Sequence, residues 1–304
     1  MRGGHRPTHH MIMSRLVQVL ASLGLSTTDT SRSYEVYDNL LLLSQHTLLS
    51  VTAYPEIEQQ RIYEAIAHAF HVTHLARSQP ISRGHLRTPC IQPLYGDFTH
   101  FFTHTRQNGI HYVWAPMYTM LSKGNIQWKL HMAQMQVQHA CIVDLYAGIG
   151  YWAFPLIKHA KCPRVIACEM NPWSVQGMIQ GAQRNRIAYT TQLDDAQASL
   201  VILQGDHQDT LRQVHGVADG VLLGLLPDAT QGLALAIQVA KPKAWLHVHA
   251  LHSVDVSVHT TFQPIAHLLL TLNVKVLHYT MHKIKNYAPR IQHVVFDVHL
   301  LKSA

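Results

Sequence analysis

The sequence has no apolar run close to the roughly 18–20 residues that a membrane span needs. We therefore predict no membrane-spanning segment. Cysteine is also scarce: the four residues Cys90, Cys141, Cys162 and Cys168 show no metal-type pairing. We expect buried free thiols in a reducing compartment. Charged residues make up only 13% of the chain, about half of the usual share.

What the chain does have is enough length for two domains and a large core, with 304 residues and 47% hydrophobic content. Histidine is abundant, at 25 residues. His247 and His249 alternate within a predicted strand and would share one face of it. Neither this pair nor His9 and His10 has a recognisable metal-binding spacing. We favour structural or surface histidines and predict no metal site.

Basic residues outnumber acids, and the formal net charge is +7. The excess is concentrated between His74 and Leu130, where the only acid is Asp97. The basic residues of this stretch are Arg77, Arg83, Arg87, Arg106, Lys123 and Lys129. A local excess of this kind is typical of a surface that contacts phosphates, and a solvated face without a partner is the alternative.

Four regions follow from the pattern of turns and apolar residues. Residues 1–30 form a tail or a mitochondrial targeting segment, residues 31–75 a small α/β region, residues 76–135 a β-rich module, and residues 136–304 a Rossmann-like domain. Without a targeting segment we expect a cytoplasmic protein. In the module, the strands Phe98–His104 and Ile110–Trp114 are predicted to form a hairpin around the turn 105–109.

The region from 136 onward alternates strands and helices and ends in an antiparallel pair, which predicts a doubly wound α/β sheet. Its first strand runs from Cys141 into a turn with Gly148 and Gly150, and a helix is expected from Tyr151. Glu169 ends the next strand, about 20 residues later, where an acid can bind both hydroxyls of a ribose. The pattern therefore predicts a nucleotide-type ligand.

Two ligands compete for this arrangement. A dinucleotide site prefers a third glycine, which is Ala153 here, whereas Asp144 before Gly148 and Gly150 is typical of the first motif of S-adenosylmethionine (SAM) enzymes. Asp206 follows the third strand, where SAM enzymes of this class hold the adenine amino group. We favour SAM as the co-substrate in a class I SAM-dependent methyltransferase-like fold.

Several segments together resemble one family, the tRNA wybutosine-synthesizing protein 2 family. They begin at Arg87-Thr-Pro and continue in the same order to the C-terminal part: residues 103–109, 122–125, 146–151, 167–172, 224–227 and 285–289. The resemblance implies transfer of the 3-amino-3-carboxypropyl group of SAM to the modified tricyclic guanine 4-demethylwyosine at position 37 of phenylalanine tRNA. It also implies a contact with the anticodon loop of that tRNA. We expect the protein to be a monomer.

The resemblance assigns roles to particular residues. Ser122 and Lys129 would contact the cofactor, Glu169 the ribose, and Asp206 with His207 the adenine. Tyr146, Gly148 and Gly150 complete the predicted cofactor site. RNA contacts are predicted at Arg77, Arg83, Arg87, Arg106 and Tyr287, with Tyr151 and Trp152 as further candidates for stacking on the acceptor base. No residue is assigned as the general base, although His207 is one candidate.

Three positions depart from the family pattern. Leu222 replaces an Asn, Ala115 lies where an Asp-Val-Thr-Lys run is usual, and Trp128 replaces a Glu. Two alternatives to aminocarboxypropyl transfer therefore stay open. One is methyl transfer by a relative of the tRNA guanine-37 N1-methyltransferases, and the other is an RNA- or SAM-binding protein without catalysis.

Overall fold

The structure is a computed structural model that describes residues 9–27, 34–79, 91–122 and 124–302. The chain divides into two compact units: residues 1–105 with 114–120, and residues 106–113 with 121–304. This grouping is coarser than the four regions expected from the sequence, and that finer division stays a prediction.

The first unit is a small α/β structure. Its elements are α1 (His9–Ser22), β1 (Tyr34–Tyr37), β2 (Leu40–Leu43), a 3-10 turn (Leu49–Ala53), α2 (Glu56–Ala69), β3 (His74–Ser78) and β4 (Ile91–Tyr95). The four strands pair in sequence order, and only the β2–β3 pair is parallel. Helix α2 follows Pro55, carries two acids in its first turn, and buries Ile62 and Ile66. The acids suit the positive end of the helix dipole, and the isoleucines help to form the core of this unit.

A two-stranded hairpin follows, built from β5 (Thr103–Gln107) and β6 (Ile110–Trp114). The second strand has the predicted bounds, but the first was predicted wrongly at residues 98–104. The turn is Asn108-Gly109, with φ of 48° and 76°, and two-residue turns of this conformation match the twist of a hairpin. The segment before Thr103 is not a strand because it turns at Thr99 and His100, where the Phe101 N–H bonds to the Phe98 carbonyl oxygen and both phenylalanine rings pack against His74.

The second unit contains the large sheet. Its elements are α3 (Ile126–Met132), β7 (Cys141–Asp144), α4 (Ala153–Lys158), β8 (Arg164–Glu169), α5 (Pro172–Asn185), β9 (Tyr189–Thr190), β10 (Leu200–Gln204), α6 (His207–Thr210), β11 (Ala218–Leu223), a 3-10 turn (Thr230–Gly232), α7 (Leu233–Val239), β12 (Ala240–Ser253), α8 (Val258–Thr271), β13 (Val274–Ala288) and β14 (Ile291–Lys302).

The strand order is β13-β14-β12-β11-β7-β8-β10-β9. The six strands from β12 to β9 are parallel, and β14 pairs antiparallel with both β12 and β13. The chain starts at β7 in the middle, proceeds outward through β8 and β10, and then returns to β11 on the other side. The predicted doubly wound α/β sheet is confirmed, and its topological switch point lies between β7 and β11.

One row of residues across this sheet positions the site. Leu222 is in register with Asp144 on one side and with His247 on the other, and His247 is in register with Asp297. Residues in register on adjacent strands face the same side of a sheet. Two acids and a histidine therefore share one face at the carboxyl end of the parallel strands.

Cys162 and Cys168 are buried free thiols, and Cys141 is partly buried. Burial raises the pKa of Cys162 to about 11 and that of Cys168 to about 12. Cys90 lies outside the described residues. Over the described ranges, no helix is long and apolar enough to cross a membrane.

Candidate active site

The turn after β7 has the conformation that its glycines allow. Gly148 and Gly150 have φ of 58° and 88°, values that favour glycine because other residues are strained there. A Cβ atom at Gly150 would lie 2.8 Å from the ring of Phe154. Helix α4 begins at Ala153 and not at the predicted Tyr151. The chain therefore continues as a turn from Gly148 to Trp152 before the helix starts.

Glu169 closes this turn from the tip of the neighbouring strand. Its Oε2 accepts a hydrogen bond of 2.8 Å from the Gly148 N–H, and its Oε1 accepts one of 2.8 Å from the Asn171 N–H. Burial raises the pKa of Glu169, and the two N–H donors offset part of this shift. The glycine turn and the acid at the end of β8, both identified in the sequence, are thus joined by a direct hydrogen bond.

Asp206, His207 and Tyr146 lie together at the end of β10. Asp206 caps α6 by accepting from the Gln208 N–H at 2.8 Å, and its side chain is 46% exposed. The His207 Nε2 lies 3.5 Å from the Tyr146 hydroxyl. Burial lowers the pKa of His207, and Asp206 offsets part of this shift. The half-exposed carboxylate of Asp206 is free to accept from a ligand as well.

Lys129 is buried, with 2% of its surface exposed. Its Nζ donates to Gln107 Oε1 at 2.6 Å and lies 4.2 Å and 4.9 Å from the ring centroids of Tyr112 and Tyr151. Within the described ranges, no carboxylate forms an ion pair with it. Burial lowers its pKa to about 7. A buried ammonium without a carboxylate favours binding of a ligand that brings one.

Ser122 belongs to the same group. Its N–H donates to the Tyr151 hydroxyl at 2.9 Å, and its carbonyl oxygen lies 3.4 Å from Lys129 Nζ. Tyr151, which the sequence suggested as a stacking surface for RNA, is instead partly buried and shapes the pocket of Lys129. The predicted pair of Ser122 and Lys129 is therefore brought together by an aromatic residue of the glycine turn.

Asp144 is fully buried, and its Oδ1 accepts from the Tyr146 N–H at 3.2 Å. Among the residues that the structure describes, Oδ2 has no hydrogen-bond partner. Burial raises the pKa of Asp144 to about 7. A buried carboxylate oxygen without a donor suits a ligand ammonium. Asp144 and Lys129 therefore fit the two charged groups of an amino acid, and Glu169 and Asp206 fit a nucleoside.

A second group of polar side chains was not predicted as a functional site. His247 is fully buried, its Nδ1 lies 2.5 Å from Asp297 Oδ1, and its Nε2 accepts from Trp128 Nε1 at 2.8 Å. His249 is 2% exposed, and its Nδ1 lies 2.7 Å from His293 Nε2. The alternation of His247 and His249 was visible in the sequence, but their partners are remote in the chain. Across the described chain, no group of three or more His, Cys, Asp or Glu residues could hold a metal ion.

The predicted RNA contacts lie in different environments. Arg77 is 2% exposed and donates to the carbonyl oxygens of Thr47 and Leu48, both at 2.9 Å. A guanidinium used in this way supports a turn, so the prediction of a phosphate contact at Arg77 is withdrawn. Arg106 is exposed, Tyr287 is 44% exposed, and Trp152 is buried. Two further predicted contacts, Arg83 and Arg87, lie outside the described residues.

A doubly wound sheet with this glycine turn and with acids at the next two strand tips has the fold of SAM-dependent methyltransferases. The sequence profile of the TRM5/TYW2 methyltransferase domain matches residues 103–277. The match covers more than half of the chain, and the chain belongs to this family.

Curated relatives include the tRNA wybutosine-synthesizing protein 2/3/4 of Arabidopsis thaliana, 33% identical over 78% of this chain and 23% of that protein. The tRNA wybutosine-synthesizing protein 2 homolog of Homo sapiens is 33% identical over 73% of this chain and 46% of its own length. The chain thus spans from about a quarter to about half of these relatives. Among solved structures, the Pyrococcus horikoshii TYW2 in complex with MeSAdo has a TM-score of 0.73 at 24% identity, covering 96% of this chain and 100% of that one.

Proposed function

We propose that this chain transfers the 3-amino-3-carboxypropyl group of SAM to 4-demethylwyosine at position 37 of phenylalanine tRNA, a step of wybutosine biosynthesis. Family membership and the names of the curated relatives support this proposal. The methylthioadenosine (MeSAdo) bound to the P. horikoshii protein is what remains of SAM once that group has left.

The observation that carries the proposal is the pair of buried, uncompensated groups at the carboxyl end of the sheet. Lys129 would bind the carboxylate of the aminocarboxypropyl chain, and Asp144 Oδ2 would accept from its ammonium. When bound, SAM supplies three electrophilic carbons on one sulfonium, and orientation decides which carbon reacts. Holding both ends of the amino-acid chain would fix that orientation.

The remaining cofactor contacts follow the order of the strand tips. Glu169 would accept from the ribose hydroxyls, since its Oε2 is already bonded to the N–H of Gly148 in the glycine turn. Asp206 would accept from the adenine amino group, and the half-buried rings of His207 and Tyr146 would border the adenine. Ser122 would help to hold Lys129 beside the carboxylate.

The acceptor is proposed to be the anticodon loop of a tRNA, and the chain is proposed to act as a monomer. Arg106 and Tyr287 remain the proposed RNA contacts. Tyr287 lines a pocket of about 350 Å³ together with Asn286 and Arg290. An exposed aromatic ring beside basic and amide groups suits an unpaired nucleotide.

The test is incubation with phenylalanine tRNA that carries the tricyclic base and with SAM labelled in its aminobutyrate chain. The proposal predicts that label moves to the RNA and that methylthioadenosine is released in equal amount. Release of S-adenosylhomocysteine would instead indicate methyl transfer. Binding of SAM and tRNA by calorimetry without either product would indicate a binding protein that lacks catalysis.

A further inference from the structure

The sheet topology assigns the cofactor and the acceptor to different sides of the switch point. In open α/β sheets, ligands bind outside the carboxyl ends of the strands where the strand order reverses, here between β7 and β11. The residues proposed to hold the nucleoside follow β7, β8 and β10. An acceptor base that approaches the amino-acid chain of the cofactor would therefore come from the side of β11 and β12.

His249 is one of several buried histidines on that side that the proposed cofactor contacts do not use. It lies on β12, and its ring centroid is 5.6 Å from that of Trp152. Trp152 follows the glycine turn and packs on Gly224, just after β11, where a Cβ atom would lie 3.2 Å from Trp152 Nε1. Through Trp152, His249 is thus packed beside both the glycine turn and the residues that follow β11.

The Nε2 atom of His249 is buried and has no hydrogen-bond partner in the part of the chain that the structure describes. A buried polar atom without a partner is unfavourable, and this points to a partner that arrives with a ligand. His247, two residues earlier on the same face, differs because Trp128 and Asp297 occupy both of its ring nitrogens. Of these two buried histidines, only His249 has a nitrogen left for a substrate.

We propose that His249 is a catalytic residue, whose Nε2 accepts the proton that the acceptor base loses during transfer. This inference rests on the proposed function. The acceptor carbon of the electron-rich tricycle forms a bond to the propyl carbon next to sulfur, and the carbon–sulfur bond breaks with its electron pair going to sulfur. The tricycle is then a cation, and the hydrogen on its acceptor carbon leaves as a proton to Nε2.

The surroundings of His249 suit this role. For Nε2 to hold a lone pair, the ring must carry its proton on Nδ1, which then donates to His293 Nε2 over the 2.7 Å contact. Burial lowers the pKa of His249 well below its ordinary value, and His247 and His293 add to this effect. The ring is therefore neutral before the reaction. A weak base is sufficient because the cationic tricycle is a strong acid.

The experiment compares the wild type with His249→Gln, His249→Ala and His247→Gln, using tRNA with hydrogen or deuterium on the acceptor carbon. His249→Gln keeps an amide near the Nε2 position but cannot take up a proton. We expect its transfer rate to fall about 100-fold with unchanged SAM affinity, and we expect deuterium to slow the variant but not the wild type. Added imidazole should restore transfer by His249→Ala.

His247→Gln is the matched control, because it removes a buried imidazole from the same strand face. It should lose thermal stability and show neither the isotope effect nor rescue by imidazole. Wild-type transfer rates in His249→Gln, or a slow His249→Gln without an isotope effect, would overturn the proposal. If His249→Ala does not fold, the His249→Gln isotope measurement still decides. Absence of any transfer by the wild type would overturn the proposed function, and this inference with it.

Discussion

The two sides of the switch point hold their polar groups in different ways. On the side of β7, β8 and β10, carboxylates accept from backbone N–H groups that are two or about twenty residues away, as Glu169 does from Asn171 and Gly148. On the side of β12 and β14, side chains bond to side chains, and Trp128 and His247 are 119 residues apart. The first side is built from local motifs, and the second is built by the tertiary fold.

This difference has consequences for what each side can do. Backbone donors and capping acids are fixed wherever the turn forms, which suits a cofactor whose nucleoside part is constant. A network of side chains can change by single substitutions, as at Trp128, whose indole donates to His247. Lys129 connects the two sides of the switch point, because it follows Trp128 on α3 and is proposed to bind the cofactor.

The largest expected effect is on stability, from Lys129→Met. The folded-state pKa of Lys129, about 7, lies below its ordinary value of 10.5. The unfolded chain therefore binds more protons between these values, and the stability of the protein rises with pH across that window. Methionine removes the buried ammonium, so we expect stabilisation by about 3 kcal/mol at pH 7, together with much weaker SAM binding.

Urea unfolding at pH 7 and pH 10 measures this effect. The gain should shrink at the higher pH, where wild-type Lys129 is neutral in the folded state and partly neutral in the unfolded state. A variant that is less stable than the wild type at both pH values would contradict the buried, uncompensated state of Lys129. It would also remove the main support for a carboxylate-binding role.

The second prediction tests the side of β7, β8 and β10, where Glu169 accepts from backbone N–H groups. Glu169→Gln removes one of the two carboxylate oxygens that accept from Gly148 and Asn171 and that are proposed to accept from the ribose. Hydrogen bonds to charged groups contribute about 1.5–3 kcal/mol, so the Kd for SAM should rise about 100-fold. Calorimetric titration measures it. Asp209→Asn, which alters an exposed pair with Arg212, is the control, and equal Kd values for the two variants would contradict the role of Glu169.

The sequence allowed the local side to be predicted in some detail. Gly148, Gly150 and Glu169 form a motif of fixed spacing, and α5 begins at Pro172 as expected because proline suits the first turn of a helix. Arg77 shows where composition misleads: a count of basic residues cannot distinguish an exposed arginine from one that is buried and bonded to carbonyl oxygens.

The tertiary side could not be predicted in the same way. The alternation of His247 and His249 indicated a shared strand face, but the choice of partner depends on the antiparallel return of β14 and on the packing of α3. Those contacts bring together Trp128, His247 and Asp297, which no local pattern connects. The departure at Trp128 was visible in the sequence, but its role as a donor to His247 needed the fold.

The third prediction tests the side of β12 and β14, through the hydrogen bond between Trp128 and His247. Trp128→Phe keeps an aromatic ring beside His247 and removes the N–H that bonds to Nε2 at 2.8 Å. A buried acceptor left without its donor should destabilise the protein by about 1–2 kcal/mol. Thermal unfolding measures this loss. His131→Phe is the control, since His131 stacks on Trp128 with ring centroids 4.3 Å apart, and an equal loss in both variants would show that packing and not the hydrogen bond is responsible.

The fourth prediction concerns His249 on the side of β12 and β14, and the change is expected in how the free energy of unfolding depends on pH. Because its folded-state pKa lies well below 6.5, the unfolded chain takes up a proton near pH 6.5 that the folded chain refuses. Stability contributed by neutral His249 is thus present above pH 6.5 and is lost as the pH falls, by at most about 1.4 kcal/mol per pH unit. His249→Leu should flatten the urea-unfolding free energy between pH 6.5 and pH 5.5 relative to the wild type. An unchanged slope would mean that His249 binds its proton equally well in the folded and in the unfolded chain, which would contradict the lowering of its pKa by burial.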